Sequence, residues 1–178
     1  MLSGVLQKDP LRWEMLLDSE AAVHRLAAFV AQHSEGKGVI WLSGHLGAGK
    51  TTFCRGLVRY FGHQGAVKSP TFTLVEPYEL CDKKIRIYHF DLYRLSDPME
   101  LDYLGLDDYF DQQSLCLVEW PEKGGDYLPA ADLHITIALP EEGSVDEKSL
   151  EKRKLCLTGC TEKGKMLVNA VIQAFGAK

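Results

Sequence analysis

Asparagine occurs only once in the 178 residues, as Asn169 followed by Ala170, so the Asn-Lys-x-Asp element by which GTP-binding proteins read guanine is impossible here. Net positive charge is missing too. Twenty lysines and arginines against 25 aspartates and glutamates leave −5, which gives no overall cationic field for tight independent binding to nucleic acid. The opening stretch MLSGVLQKDPLRWEMLLDSE lacks a basic start and a continuous apolar core. Neither a signal peptide nor a membrane helix is expected from it, and the expected location is the cytoplasm. No internal repeat and no low-complexity segment is present. The five cysteines, Cys54, Cys81, Cys116, Cys156 and Cys160, are odd in number, and the one close pair, Cys156 and Cys160, has a spacing that matches no usual zinc pair. Reduced thiols are the expectation.

What is present suits one well-filled core: 46% of the residues are hydrophobic, and the length predicts a single domain over residues 1–178. A short strand is expected around Trp13 to Leu17. Ser19 can then cap a helix in which Val23, Leu26, Ala27 and Val30 keep the 3.6-residue period to near Gly36. Val39 to Leu42 reads as a strand, and Phe53, Leu57, Val58 and Phe61 as the apolar face of a helix that stops at Gly62. Residues 69 to 80 and 84 to 90 read as two strands joined by the turn CDK, an antiparallel hairpin that makes the sheet mixed. Asp97-Pro98 opens a short acidic helical stretch. Leu115 to Val118, Asp132 to Leu139 and Leu155 to Leu157 supply further strands, Lys163 to Phe175 a closing helix, and PEEGSVDEKSLEK a solvated loop.

Between the first long helix and the second lies WLSGHLGAGKTTF, in which Gly44, Gly49, Lys50 and Thr51 satisfy G-x-x-x-x-G-K-[ST]. The glycines, Gly47 among them, allow backbone angles and a close approach that a Cβ would forbid, so successive N–H groups across Gly47, Ala48 and Gly49 can turn into one concavity. The helix that follows offers its unpaired first-turn N–H groups and positive dipole end to an anion. Lys50 adds a full charge for the β- and γ-phosphates, the Thr51 hydroxyl can ligate Mg²⁺, and Thr52 can reach the α-phosphate. By chance the four defined positions would occur in about one chain of this length in a hundred, and the strand before and helix after reduce that further. ATP and Mg²⁺ are therefore the expected cofactors.

Such a loop needs an acidic partner at the end of another buried strand. Glu119, directly after Leu115 to Val118, fits, and beside a P-loop its metal role outweighs that of a solvent-facing carboxylate. Asp91, in YHFDLYRL, also follows a strand and can orient a water or hold the metal's water shell, or can instead cap a helix and pair with Arg94. His89 reads more simply as a satisfied core histidine, and Trp120 and Pro121 as packing and chain direction, with the Trp120 indole lining a nucleotide pocket as the less favoured alternative. In Ser69-Pro70-Thr71 the proline restricts the backbone and the Thr71 hydroxyl can sense a γ-phosphate or its magnesium; an ordinary turn into a strand is the plainer alternative. The acidic run SDPMELDYLGLDDYFD reads first as a solvated face and second as a docking surface, and the basic trio Lys152, Arg153 and Lys154 first as solubility and second as a contact with phosphate or RNA.

Taken in order, GHLGAGKTTF, KSPTFTLVEPYE, YHFDLYRL and LVEWPEKGGDYLP resemble the TsaE family, also called YjeE, of bacterial P-loop ATPases used in making N6-threonylcarbamoyladenosine on tRNA. The resemblance runs from the N-terminal helix to about residue 130. It implies an α/β, P-loop NTPase-like three-layer sandwich with a mixed, partly antiparallel central sheet. It also implies ATP phosphates on Gly44 to Thr52, Mg²⁺ on Thr51 and Glu119, a switch-like segment at Thr71, and Asp91 and Lys50 in catalysis. Family members act with TsaB and TsaD, and with tRNA indirectly through the complex; TsaD transfers the threonylcarbamoyl group to adenosine 37 while TsaE's ATP hydrolysis supports turnover. His45 stands where the family often has Asp, with its side chain expected to face away from the phosphates. A small-molecule kinase is a rival, although no arginine-rich lid is evident, and so is a nucleotide-dependent adaptor with negligible turnover.

Overall fold

The computed structural model describes residues 10–80, 84–140 and 151–176. Seven strands and three α-helices follow in the order β1 (Leu11–Leu17), α1 (Glu20–Ser34), β2 (Gly38–Ser43), α2 (Lys50–Tyr60), β3 (Val75–Leu80), β4 (Ile85–Asp91), β5 (Leu115–Glu119), β6 (Leu133–Ala138), β7 (Arg153–Gly159) and α3 (Glu162–Phe175). The sheet runs β1-β7-β6-β2-β5-β4-β3. Its centre is parallel, β6 with β2, β2 with β5 and β5 with β4. Both flanks are antiparallel, β3 on β4 at one side and β7 with β1 at the other. The expected mixed sheet is therefore what the chain forms.

Local chemistry explains the elements. Ser19 caps α1 by accepting from the Ala22 N–H at 3.3 Å, and the helix buries Val23, Leu26, Ala27, Val30 and Ala31 on one side. Thr161 caps α3 in the same way through the Gly164 N–H at 3.2 Å, and Leu167, Val168 and Val171 face inward. β5 is buried along its whole length, which is why LCLVE reads as an unbroken apolar run ending in an acid. One face of the sheet packs against all three helices, with Ile40, Leu42, Phe53, Leu57, Ile87, Leu117 and Ile135 at the centre of that core. The other face meets Leu92, Leu95, Leu101 and Leu128, with Tyr109 and Phe110 against Phe90. The third layer is thus made of loops and 3-10 turns such as Pro98–Leu104, whose capping box from Asp97 and Glu100 realises the expected acidic helical stretch.

Three expectations change. The strand read from residue 69 starts at Val75. Residues 69–74 instead form a turn, closed by the Leu74 N–H on the Pro70 carbonyl at 2.8 Å, with Leu74 in the left-handed region at φ 63°. A proline without an N–H and a residue of that conformation cannot continue a ladder. β1 and β7 are longer than Trp13–Leu17 and Leu155–Leu157 because they pair with each other over seven positions, from Leu11 with Gly159 to Leu17 with Arg153. The CDK turn and most of the 140–152 loop lie outside the described residues. Among the described residues no helix is long and apolar enough to cross a membrane.

Candidate functional site

The parallel centre of the sheet brings three strand ends together: β2 runs into the glycine loop, β5 ends at Glu119, and β4 ends at Asp91, which is in register with Glu119. Gly44 leaves β2 at φ 145°, and a Cβ there would lie 2.2 Å from the Ile137 carbonyl oxygen on β6, so only glycine lets the loop begin against that strand. The loop ends at Gly49, φ 112°, and α2 opens at Lys50 with no side chain among the described residues capping it. Its first-turn N–H groups are left to an external acceptor, as an anion site requires.

These strand ends border a cleft of about 440 Å³, into which Gly47, Gly49, Lys50, Thr51, Thr52, Thr71, Asp91 and Glu119 all project. Of the residues expected on phosphate, Gly44 and Ala48 form the back of the loop and do not line the cleft. Lys50 is only 4% exposed. Its amine donates to the carbonyls of Gly44 at 2.6 Å and His45 at 2.9 Å and sits 4.0 Å from the centre of the Trp120 ring. Burial lowers its pKa below the usual lysine value, against the opposing pull of the Glu119 and Asp91 carboxylates. His45 is exposed and does not line the cleft.

The Thr51 hydroxyl donates to Glu119 Oε1 at 2.8 Å, and the same oxygen faces His89 Nε2 at 2.8 Å. Glu119 is 2% exposed and His89 fully buried. Asp91, 3% exposed, uses Oδ1 to accept from the Tyr93 N–H at 3.0 Å and Oδ2 to accept from the Thr71 hydroxyl at 3.0 Å and from the Ser69 hydroxyl. The first of these is an Asx turn, so Asp91 does stop its strand locally, but its partner is not Arg94. That guanidinium stacks on the Phe72 ring at 4.2 Å. A threonine hydroxyl and two carboxylates around one cleft are hard oxygen donors, the set that suits Mg²⁺ rather than a softer metal.

Two residues whose plainer readings are packing and solubility border these cavities. Trp120 follows Glu119 in the left-handed region at φ 59°, which turns its ring under Lys50 and against Tyr93, with ring centres 5.0 Å apart, rather than into the core alone. Arg153, placed with the solubility charges, opens β7 and donates from Nε to the Ala48 carbonyl at 2.8 Å. It borders a second cleft of about 370 Å³ with Ser19, Val23, Gly49 and Thr52, and Gly49 and Thr52 line the first cleft as well. The signal available for Arg153 was its position at the start of an apolar strand. The signal for Trp120 was the proline after it, which removes the next N–H.

Fold and site together define a P-loop α/β protein. Residues 17–155 match the family model of the threonylcarbamoyl adenosine biosynthesis protein TsaE. The chain is 46% identical over 138 residues to the tRNA threonylcarbamoyladenosine biosynthesis protein TsaE of Haemophilus influenzae, covering 78% of this chain and 80% of that protein. It is 41% identical over 128 residues to the protein of the same name from Bacillus subtilis, covering 71% and 77%. The crystal structure of Bacillus subtilis YdiB superposes with a TM-score of 0.73 at 28% identity, over 94% of this chain and 98% of that one. The chain belongs to the TsaE family, whose members carry the name of tRNA threonylcarbamoyladenosine biosynthesis.

Proposed function

We propose that the protein is a single-domain, Mg²⁺-dependent ATPase that supports threonylcarbamoylation of tRNA adenosine 37 in the cytoplasm, together with TsaB and TsaD homologues. The observation that carries this reading is the 2.8 Å contact between Thr51 and Glu119 in a cleft that also holds Lys50 and the uncapped start of α2. In this reading the amides of Gly47, Gly49 and the first turn of α2 bind the phosphates. Lys50 exchanges its contacts with the Gly44 and His45 carbonyls for phosphate oxygens, and Thr52 lies beside the α-phosphate. Thr51 and Glu119 would hold magnesium, directly or through its water, which when bound offsets the phosphate charge. The second cleft takes the nucleoside end.

Asp91 is the residue assigned to positioning the attacking water, and Thr71 senses the terminal phosphate. With the cleft open, both Thr71 and Ser69 give their hydroxyl hydrogens to Asp91, so Asp91 is already engaged before any substrate water arrives. Slow hydrolysis by the protein alone follows. At the rim, Phe72 is 82% and Leu46 74% exposed, and a partner covering them would move the segment that carries Thr71. Contact with tRNA is then indirect, through the partner complex.

The test is phosphate release from Mg·ATP by the protein alone and with TsaB, TsaD and tRNA, beside Lys50→Ala and Asp91→Asn. Partner-stimulated release that Lys50→Ala abolishes together with binding, and that Asp91→Asn lowers by about 10²-fold or more at unchanged nucleotide affinity, supports the reading. Background release in every mixture with intact binding would make the protein a nucleotide-dependent adaptor. Phosphate found on a small acceptor would make it a kinase.

A further inference from the structure

Resting on the magnesium reading above, we infer that His89 is a positioning residue that holds the Glu119 carboxylate in the orientation the metal site needs. The two side chains come from neighbouring parallel strands: His89 lies on β4 across from Leu117 of β5, two residues before the Asp91 and Glu119 pair, on the face that packs against α2. His89 Nε2 and Glu119 Oε1 are 2.8 Å apart with both side chains buried. A carboxylate that is to ligate a metal accepts hydrogen bonds, so in this assignment Nε2 carries the hydrogen and donates it. Thr51 donates to that same oxygen from α2. Glu119 is therefore gripped from two sides, by a hydroxyl that can ligate the metal and by an imidazole that touches neither cleft.

A packing role alone does not account for this imidazole. Its Nδ1 is buried and has no hydrogen-bond partner among the described residues, so an apolar side chain would fill the space without stranding a polar atom. What His89 gains over such a residue is the bond to Glu119. Cys54, one turn after Thr51 on α2, completes the enclosure: its sulfur, a His89 nitrogen and a Glu119 oxygen all lie within 4.8 Å of one another. The thiol is buried and neutral at ordinary pH, burial raising its pKa well above the usual cysteine value. It walls the carboxylate in without adding a competing charge. Outer partners that orient a metal-site carboxylate typically alter metal affinity by about 10–100-fold when removed.

The experiment compares affinity for a fluorescent N-methylanthraniloyl ADP in excess Mg²⁺ and in EDTA, so that the ratio reports the metal's contribution without turnover. His89→Leu removes the donor, His89→Asn retracts it by about one methylene, and His89→Gln places an amide N–H close to the position of Nε2. The expected result is a Mg²⁺-dependent gain reduced about tenfold or more in His89→Leu and His89→Asn, restored to within about threefold of wild type in His89→Gln, with affinity in EDTA unchanged throughout. If His89→Leu does not fold, the contrast between His89→Asn and His89→Gln carries the test. A full gain in the donor-less variants overturns the inference alone, and so does an equal loss in EDTA and in Mg²⁺, which marks a structural role. Equal wild-type affinity in Mg²⁺ and in EDTA overturns the inference together with the magnesium reading beneath it.

Discussion

Replacing Arg153 by alanine should weaken nucleotide binding although Arg153 is 102 positions from the last residue of the glycine motif. The Nε–H of Arg153 donates to the Ala48 carbonyl at 2.8 Å, and one terminal N–H donates to the Lys152 carbonyl at 2.8 Å. In a planar trans peptide the C=O and the following N–H point in opposite directions. Pinning the Ala48 oxygen toward β7 therefore fixes the Gly49 N–H on the opposite side of that peptide, and Gly49 lines the cleft. A hydrogen bond from a charged donor contributes about 1.5–3 kcal/mol, and partial exposure of the guanidinium reduces this to about 1–2 kcal/mol because water can replace it. If that orientation is lost, affinity for ADP falls by about 5–30-fold. A fluorescence titration with N-methylanthraniloyl ADP measures it, with circular dichroism to show that the variant is folded. Arg153→Lys keeps the charge but not the Nε–H, and is expected to recover little. Affinity within twofold of wild type in Arg153→Ala, or complete recovery by Arg153→Lys, would refute the pinning argument; the latter would leave simple charge attraction in its place.

Two other expectations concern stability. Gly44→Ala places a Cβ 2.2 Å from the Ile137 backbone oxygen and must push β2 from β6, whereas Gly47→Ala meets nothing within 4 Å among the described residues and carries the left-handed strain of φ 77°. The first should cost well over about 3 kcal/mol and the second about 1–2 kcal/mol by urea denaturation, so equal midpoints would show that the contact is not rigid. His134 supplies a pH dependence: burial lowers its pKa below the ordinary histidine value of about 6.5, the charge of Glu122 opposing. The unfolded chain then binds the proton more tightly than the folded one, so stability is full above about pH 6.5 and declines as pH falls from there through the lower folded value. His134→Gln should flatten the change in melting temperature between about pH 7.5 and pH 5.5, and an unaltered slope would assign the acid sensitivity to other groups.

The features that were legible in the sequence are those set by neighbours along the chain. The glycine loop, the capping of α1 by Ser19, the buried β5 ending in Glu119 and the strand before Asp91 depend on residues within a few positions. Contacts that depend on strand order were not legible. That Arg153 meets Ala48 follows from β7 lying beside β6, which lies beside β2, and no periodicity in Arg153-Lys154-Leu155 encodes that order. His89 looked like an ordinary core histidine because its partner sits 30 positions on, in a strand whose pairing with β4 is a property of the whole sheet. The turn at 69–74 was hidden for another reason: alternating Thr71, Phe72, Thr73 and Leu74 imitates a strand, and the left-handed φ at Leu74 that ends the imitation is uncommon for a leucine.

The two carboxylates at the ends of β4 and β5 are in register, yet their surroundings differ in a way that bears on how the site is controlled. Glu119 is held by Thr51 and His89, both on regular elements packed into the core. Asp91 keeps Oδ1 on the Tyr93 N–H, but its Oδ2 is held by Ser69 and Thr71, which ride on a short turn tied down by the Leu74 N–H on Pro70 and by the Asp91 N–H on Leu74. Between those two hydroxyls and Leu74 stands Phe72, with its ring in solvent beneath Arg94. Displacing that turn would free Asp91 Oδ2 without breaking the contacts that hold Glu119. Under the proposed function this separation gives partner dependence a physical basis: the metal end is organised beforehand, and a protein that seats on Phe72 acts on Asp91 alone. Phe72→Ala should therefore abolish most of any partner stimulation of phosphate release while leaving Mg·ADP affinity within about twofold, since the ring makes none of the contacts that hold Glu119. Loss of Mg·ADP affinity in parallel with stimulation would show that the two ends are coupled, and the separation would fail.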